Sequence, residues 1–364
     1  MKVTRIHTQI VQLPADEPLA GGPAVAGATR NFVTLQVQTD DGIEGIGVTF
    51  FGGPLTATLK SAVDQLGALV IGEDPLRTEA IAAKLRAAAG SAGPGGIFTL
   101  ALSAIDIALW DIKGKTHNLP LWQLLGGSRE RVPTYASGAL MRHFPLDHVV
   151  KAAPRLVEKG YRQMKMQLAL PGDTSPEREV ERARRIRESI GPGIDLMCDI
   201  NQRWSVHQAI DIGRLIEDVH LYWLEDVTAH DDYAGLARVA EALSTPVAGG
   251  EYVYGITPFR HMLEARSVDI AMIDVLRAGG ITQWLKIAGM AEAFNLPVVS
   301  HLLPEIHVHL IAAVPNGLTV EYMPWSLKLY EETPTVERGE IAVSRKPGLG
   351  LKFDRDALRR FGAI

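Results

Sequence analysis

The sequence predicts an α/β fold, a barrel of eight strand–helix units preceded by a smaller domain of strands and helices. Three observations carry this. Short β-rich runs alternate with amphipathic helical stretches after residue 130, and strand–helix alternation implies parallel pairing. There are eight such runs within residues 132–323, which suits a compact (β/α)8 barrel. An open doubly wound sheet would want a glycine-rich first strand–helix turn, and Gly138-Ala139-Leu140 is not one.

The elements follow in order. Residues 2–11 and 31–38 alternate or run β-branched and read as strands, with an Asp-Gly hairpin turn at residues 39–42. Residues 13–29 are rich in Pro, Gly and Ala without periodicity and read as a long mobile loop; a second loop begins at Phe50-Phe51. Helical patterns are expected over 54–69, 76–89 and 97–115, interrupted by a glycine-rich connector at 90–96. That connector lacks the spacing of a phosphate-binding loop. The eight barrel strands are expected at 132–137, 163–168, 194–201, 221–226, 246–251, 269–275, 297–301 and 318–323.

Composition bounds what such a protein can be. At 364 residues the chain is long enough for about two domains. With 46% hydrophobic and 22% charged residues it is an ordinary globular chain. A formal net charge of −5 argues against a nucleic-acid partner, whose phosphates need a basic surface. No apolar run is long enough to cross a membrane, and the N-terminus lacks the apolar core of a signal peptide. The one cysteine, Cys198, excludes an internal disulfide. A cytoplasmic location is expected.

In a barrel the reactive groups sit at the C-terminal ends of the strands. Those ends carry Lys165 with Gln167, Asp199 with Asn201, then Glu225, Glu251, Asp274, His301 and Glu321. A strand buried on both faces has no structural use for so many polar ends. Asp199, Glu225 and Glu251 end three successive strands. Neighbouring strands lie about 4.8 Å apart, so the three carboxylates converge and would repel without a cation. An all-oxygen set favours a hard ion, Mg²⁺ first and Mn²⁺ as a substitute.

Asp274 and His301, on the next two strands, form a dyad in which the carboxylate orients the imidazole as general acid/base. Cys198 alternates with Met197 and Asp199 and should point outward, away from the site. Lys165 is expected to neutralise a substrate carboxylate. Glu321, in an anionic site, should have a raised pKa and donate a hydrogen bond as the neutral acid.

At these residues the sequence resembles the mandelate racemase subgroup of the enolase superfamily. Residues 101–126, from Ala101-Leu102-Ser103 to Leu125-Gly126, agree with that group's first signature. The stretch through Leu196, Asp199, Asn201, Ala209, Ile216, Leu224, Glu225 and Asp226 agrees with the second, apart from Val227 where proline is usual. The resemblance covers nearly the whole chain. It implies a (β/α)7β modified TIM barrel over residues 128–335. Over it sits an α+β capping domain, residues 1–127 completed by 336–364. It also implies one Mg²⁺ and abstraction of the proton α to a carboxylate, the enolase-superfamily chemistry of a Lys or His base with Mg²⁺.

Relatives that racemise carry Lys-x-Lys on the second strand, where this chain has Lys165-Met166-Gln167. Glutamine cannot titrate, which leaves His301 as a single base. That suits a syn elimination, or a cycloisomerisation that opens a lactone or anhydro ring, more than two-base racemisation or epimerisation; of these the resemblance favours dehydration of a sugar acid (aldonate or aldarate). Substrate contacts are expected from Gln167, Asn201, Ser137, Arg203, Phe50 and Trp325, with Arg142 and the 13–29 loop shaping specificity. The expected partner is a small-molecule carboxylate, and resemblance implies a homo-oligomer, dimer or octamer. Two other classes compete. A metal-dependent hydrolase on the same barrel would need a His-x-His pair on the first strand, absent from 132–137. A non-catalytic sugar-acid binding paralogue would have lost the dyad.

Overall fold

The computed structural model describes residues 1–21, 28–172 and 175–363. The chain opens with an antiparallel meander, β1 (Val3–Pro14), β2 (Thr29–Thr39) and β3 (Glu44–Thr49). The expected Asp-Gly turn joins β2 to β3, with Gly42 at φ +78°. Both strands flanking the expected 13–29 loop run further than sequence suggested, pairing through Pro14 and Thr29. The rest of that loop narrows to 15–28, of which 22–27 lie outside the described residues.

Helices α1 (Thr56–Ala68), α2 (Thr78–Ala89), α3 (Gly96–Thr116) and the short α4 (Leu121–Leu124) complete this layer. Sequence periodicity suggested one apolar face for α3, but the helix is buried around most of its circumference. It is wedged between the meander and the barrel. A Cβ on Gly47 of β3 would lie 2.0 Å from Ala104 O, so glycine permits that approach. On the barrel side, Asp106 accepts from Thr282 N and Oγ1 at 2.9 and 2.6 Å, and Trp110 Nε1 donates to Thr282 Oγ1.

The barrel strands are β4 (Arg131–Leu140), β5 (Gln163–Gln167), β6 (Asp195–Asp199), β7 (Trp223–Glu225), β8 (Val247–Gly249), β9 (Ile270–Ile273), β10 (Val298–Ser300) and β11 (Val320–Tyr322). All eight lie where sequence placed them. Between them run α5 (Leu146–Glu158), α6 (Pro176–Ile190), α7 (Val206–Leu215), α8 (Tyr233–Ala242), α9 (Ile256–Glu264), α10 (Val275–Ala278), α11 (Ile281–Ala293) and α12 (Pro304–Ala313). The strands pair in parallel from β4 to β10, and β11 pairs β4 on its other edge. The ring closes between β10 and β11 through the Val298–Gly317 bridge and the Ser300 hydroxyl, which accepts from Glu321 N at 2.8 Å.

Strand alternation separates two apolar layers. Tyr135, Met197, Trp223, Ala248, Ile270, Met272 and Val299 fill the barrel interior. Met164, Met166, Leu196, Cys198 and Leu224 point outward into the strand–helix layer. Cys198 is therefore buried and outward-facing, as its parity required.

The C-terminal segment touches both layers. It first adds a hairpin to the barrel, β12 (Val336–Glu337) with β13 (Glu340–Ala342), the latter antiparallel to β4. Only then does it return to the capping layer. Leu349 N donates to Asp111 Oδ1 of α3, and α13 (Arg355–Phe361) delivers Gly362 to a bridge with Val11 of β1.

Candidate active site at the barrel mouth

Two residues above the apolar plug, the same strands turn polar. Met197 is followed by Asp199, Trp223 by Glu225, Met272 by Asp274 and Val299 by His301. Glu251 reaches the mouth by a turn instead. Gly250 has φ +127°, and a Cβ there would come within 2.6 Å of Met272 O. These groups open on a cavity of about 440 Å³. Its lining includes Ser137, Arg142, Lys165, Gln167, Asp199, Asn201, Arg203, Glu251, His301, Glu321 and Trp325, together with Phe51, Tyr252 and Arg277. Glu225 lies beneath, fully buried.

Lys165 Nζ sits 2.6 Å from Glu225 Oε1 and 2.9 Å from Glu321 Oε1. Burial alone would favour the neutral amine, but the Glu225 and Glu321 carboxylates outweigh it and push its pKa well up. The expectation for Glu321 is overturned. Burial raises its pKa, but Lys165 and His301 outweigh burial and hold it below the ordinary value. It is a carboxylate that accepts from Lys165 and from Leu302 N, not a neutral donor. The counter-ion came from β5, on the far side of β4, where sequence adjacency does not reveal it.

His301 Nδ1 lies 2.7 Å from Asp274 Oδ2, and its Nε2 lies 3.2 Å from Glu251 Oε2. Asp274 in turn caps α10, its Oδ1 accepting from Leu276 N and Arg277 N at 2.8 and 2.7 Å. Both carboxylate oxygens are thus fixed, and so is the imidazole plane. Burial would lower the His301 pKa, but Glu251 and Asp274 outweigh it and raise it. Burial likewise raises Asp274, and the His301 hydrogen bond brings it below its ordinary value.

Four buried carboxyl groups crowd the other side. Ligand-capable oxygens of Glu225, Asp226 and Glu251 lie within 4.8 Å of one another. Asp199 is paired in register with Glu225, but its oxygens are turned to Asn201 N at 2.7 Å and Gln167 Nε2 at 3.1 Å. Burial and mutual repulsion push the pKa values of Asp199, Glu225 and Asp226 up. Asp226 was missed by sequence reasoning. Alternation sends residue 226 outward, but φ +44° turns it back, and its Oδ2 is buried without a hydrogen-bond partner. An orphaned carboxylate oxygen in an all-oxygen cluster fits a hard divalent cation.

The remaining expected contacts divide. Phe50 is corrected: it is buried in the capping core against Phe32, ring centroids 5.0 Å apart. Its neighbour Phe51, at φ +72°, reaches the cavity and stacks near-parallel to His301 at 6.0 Å. The Arg277 guanidinium covers the Phe51 ring at 3.9 Å. Trp325 is held by the capping domain, with Nε1 donating to Glu17 at 3.0 Å and the Arg30 guanidinium 4.0 Å over its ring. Ser137, Asn201, Arg142 and Arg203 line the cavity. Gln167 lines it too, but both hydrogens of its amide are already committed, to Asp199 and Asn201.

Comparison with known proteins identifies the family. A model described as the mandelate racemase / muconate lactonizing enzyme N-terminal domain matches residues 10–126, and one described as enolase C-terminal domain-like matches 148–357. The chain belongs to the mandelate racemase / muconate lactonizing enzyme family. Within that family it is 32% identical to a 3,6-anhydro-alpha-L-galactonate cycloisomerase of Streptomyces coelicolor, over 98% of this chain and 99% of the relative. It is 31% identical to an L-talarate/galactarate dehydratase of Salmonella typhimurium, over 98% and 90%. The crystal structure of an L-talarate dehydratase from Polaromonas sp. JS666, complexed with Mg and L-glucarate, superposes with a TM-score of 0.91 at 30% identity, covering 100% of this chain and 98% of that one.

Proposed function

We propose that this family member abstracts the proton α to the carboxylate of a sugar acid and then expels the β-oxygen, a lyase reaction yielding a 2-keto-3-deoxy acid. The observation that carries this reading is the Asp274–His301 dyad on a cavity whose other nitrogen base is spent. Lys165 is clamped between two carboxylates, and position 167 is an amide. His301 is the one imidazole lining the cavity among the described residues.

Of the four crowded carboxylates, Asp199, Glu225 and Glu251, from three neighbouring strands, would hold an Mg²⁺ of the kind solved relatives carry, with Asp226 adding negative charge beside Glu225. When bound, the ion supplies positive charge to the substrate carboxylate, whose oxygens gain a second negative charge as the α-proton leaves. With its Nδ1 proton donated to Asp274, His301 presents Nε2 as proton acceptor. Lys165 supplies further positive charge at the mouth, steadied by Glu321. The same imidazole, now protonated, delivers its proton to the departing oxygen. The Cα–H and Cβ–O bonds break, an enol forms, and it relaxes to the 2-keto acid. Phe51 and Trp325 line the cavity beside the reacting groups.

A second reading follows from the near end-to-end match to the Streptomyces cycloisomerase. If the β-oxygen belongs to an anhydro or lactone ring, the same step opens the ring and no water is lost. A panel of aldonates, aldarates, lactones and anhydro acids with Mg²⁺ in D₂O tests both. Product mass separates dehydration from isomerisation. Absence of keto acid and of α-deuteration across the panel, in protein that binds Mg²⁺, would overturn the proposal. No helix among the described residues is long and apolar enough to cross a membrane. A cytoplasmic homo-oligomer, dimer or octamer, is part of this proposal, and light scattering measures the assembly.

A further inference from the structure

The residue that breaks the Lys-x-Lys pattern sits beside a carboxylate. Gln167 ends β5 in direct register with Asp199 on β6, so the two side chains emerge side by side on the inner face. Gln167 Nε2 donates to Asp199 Oδ2 and to Asn201 Oδ1, both at 3.1 Å. Its Oε1 accepts from the backbone N of Arg142 at 3.4 Å. Flipping the amide would set its oxygen against two oxygens, so the orientation is determined by its partners. Asp199 Oδ1 is meanwhile held by Asn201 N at 2.7 Å. The carboxylate is gripped once on each oxygen, and each oxygen keeps a lone pair for a further partner.

We infer that Gln167 is the positioning residue that aims Asp199 at the magnesium ion, an inference resting on the metal site proposed above. The physical reason lies in its neutrality. Hydrogen bonds from surrounding groups orient metal ligands. A lysine at 167 could make the same bond to Asp199, but its ammonium would compete with the ion for the carboxylate charge. An amide orients Asp199 and leaves its full negative charge to the cation. Replacing the second lysine thus does more than delete a base: it converts that position from proton acceptor to ligand support.

Calorimetric titration of metal-free protein with MgCl₂ tests this without reference to turnover. Gln167→Met keeps the length and removes the donor, and its Kd for Mg²⁺ should rise by about 10–100-fold. Its kcat should recover when Mg²⁺ is raised to saturation, because only the ligand's aim is lost. Gln167→Lys should also bind Mg²⁺ more weakly than wild type, and it covers the case in which the methionine variant fails to fold. An unchanged Kd in either folded variant overturns the inference. A Gln167→Met enzyme with unchanged Kd but a raised KM for the acid would make Gln167 a substrate contact instead. Wild-type protein that binds no Mg²⁺ would sink the metal site itself, a separate result.

Discussion

The two halves of each barrel strand solve opposite problems. The lower half, Tyr135 with Met197, Trp223, Met272 and Val299, is an apolar plug. The upper half, one alternation later, holds Asp199, Glu225, Asp274 and His301, all buried to within 7% exposure. The plug gains from exclusion of water, whereas the mouth suffers from it, because like charges are desolvated together. Trp223 ties the layers together: edge-on to Tyr135 at 5.4 Å, it donates Nε1 to Glu225 Oε2 at 3.0 Å. The plug therefore sets the position of charges that would otherwise spread apart. Function is mounted on the half of the strand that stability would not choose.

Four measurements sharpen that contrast. Chelation should have the largest effect. Stripping Mg²⁺ with EDTA should abolish turnover, and the unopposed carboxylates should lower the Tm; full activity in demetallated protein would mean the mouth needs no cation. Next, His301→Asn should cut kcat by about 10²–10⁴-fold with little change in Tm. Retained turnover would place the base elsewhere. Trp223→Ala should do the reverse first, costing about 3–5 kcal/mol in denaturant unfolding, with weakened Mg²⁺ binding because Glu225 loses its donor. A variant that loses stability while binding Mg²⁺ normally would uncouple the layers.

The smallest effect is a control from outside the barrel interior. His309 on α12 accepts from Trp122 N at 3.4 Å and pairs through Nε2 with Leu349 O at 3.0 Å, an arrangement for the neutral ring. Burial pushes its pKa down to about 4. The unfolded chain then binds more protons, so this contribution is intact above about pH 6.5 and is lost as pH falls toward 4, about 3 kcal/mol in all. Stability curves of wild type and His309→Gln should converge on acidification. Parallel curves would show that the mouth, not this histidine, governs acid sensitivity.

Most of the site was legible because it obeys a period of two. Asp199, Glu225, Asp274 and His301 follow from strand ends and parity alone, as does the outward Cys198. The failures share a cause. Phe51 and Asp226 both have positive φ, a conformation rare outside glycine that sequence does not announce. Each turns the chain where alternation would carry it straight on. Strict alternation would carry Asp226 outward, and Phe50 was the expected contact where Phe51 lines the cavity. The Glu321 error was of another kind: its partner Lys165 is 156 residues away in sequence, and only barrel closure brings them together.

The return of the C-terminal segment to β1 has a bearing on how the molecule is made. Gly362 bridges Val11, Ala363 N donates to Ile10 O at 2.9 Å, and Gln9 Nε2 donates to Leu358 O at 3.0 Å. On the ribosome the β1–β3 meander emerges before the barrel, yet these partners arrive after the whole barrel has been translated. Contacts of such sequence separation form late and slowly. The roof that carries Phe51 and grips Trp325 thus waits, incomplete at one edge, until the chain beyond the barrel has been made. A nascent chain stalled before residue 355 would display a finished barrel whose mouth has an unfastened cover.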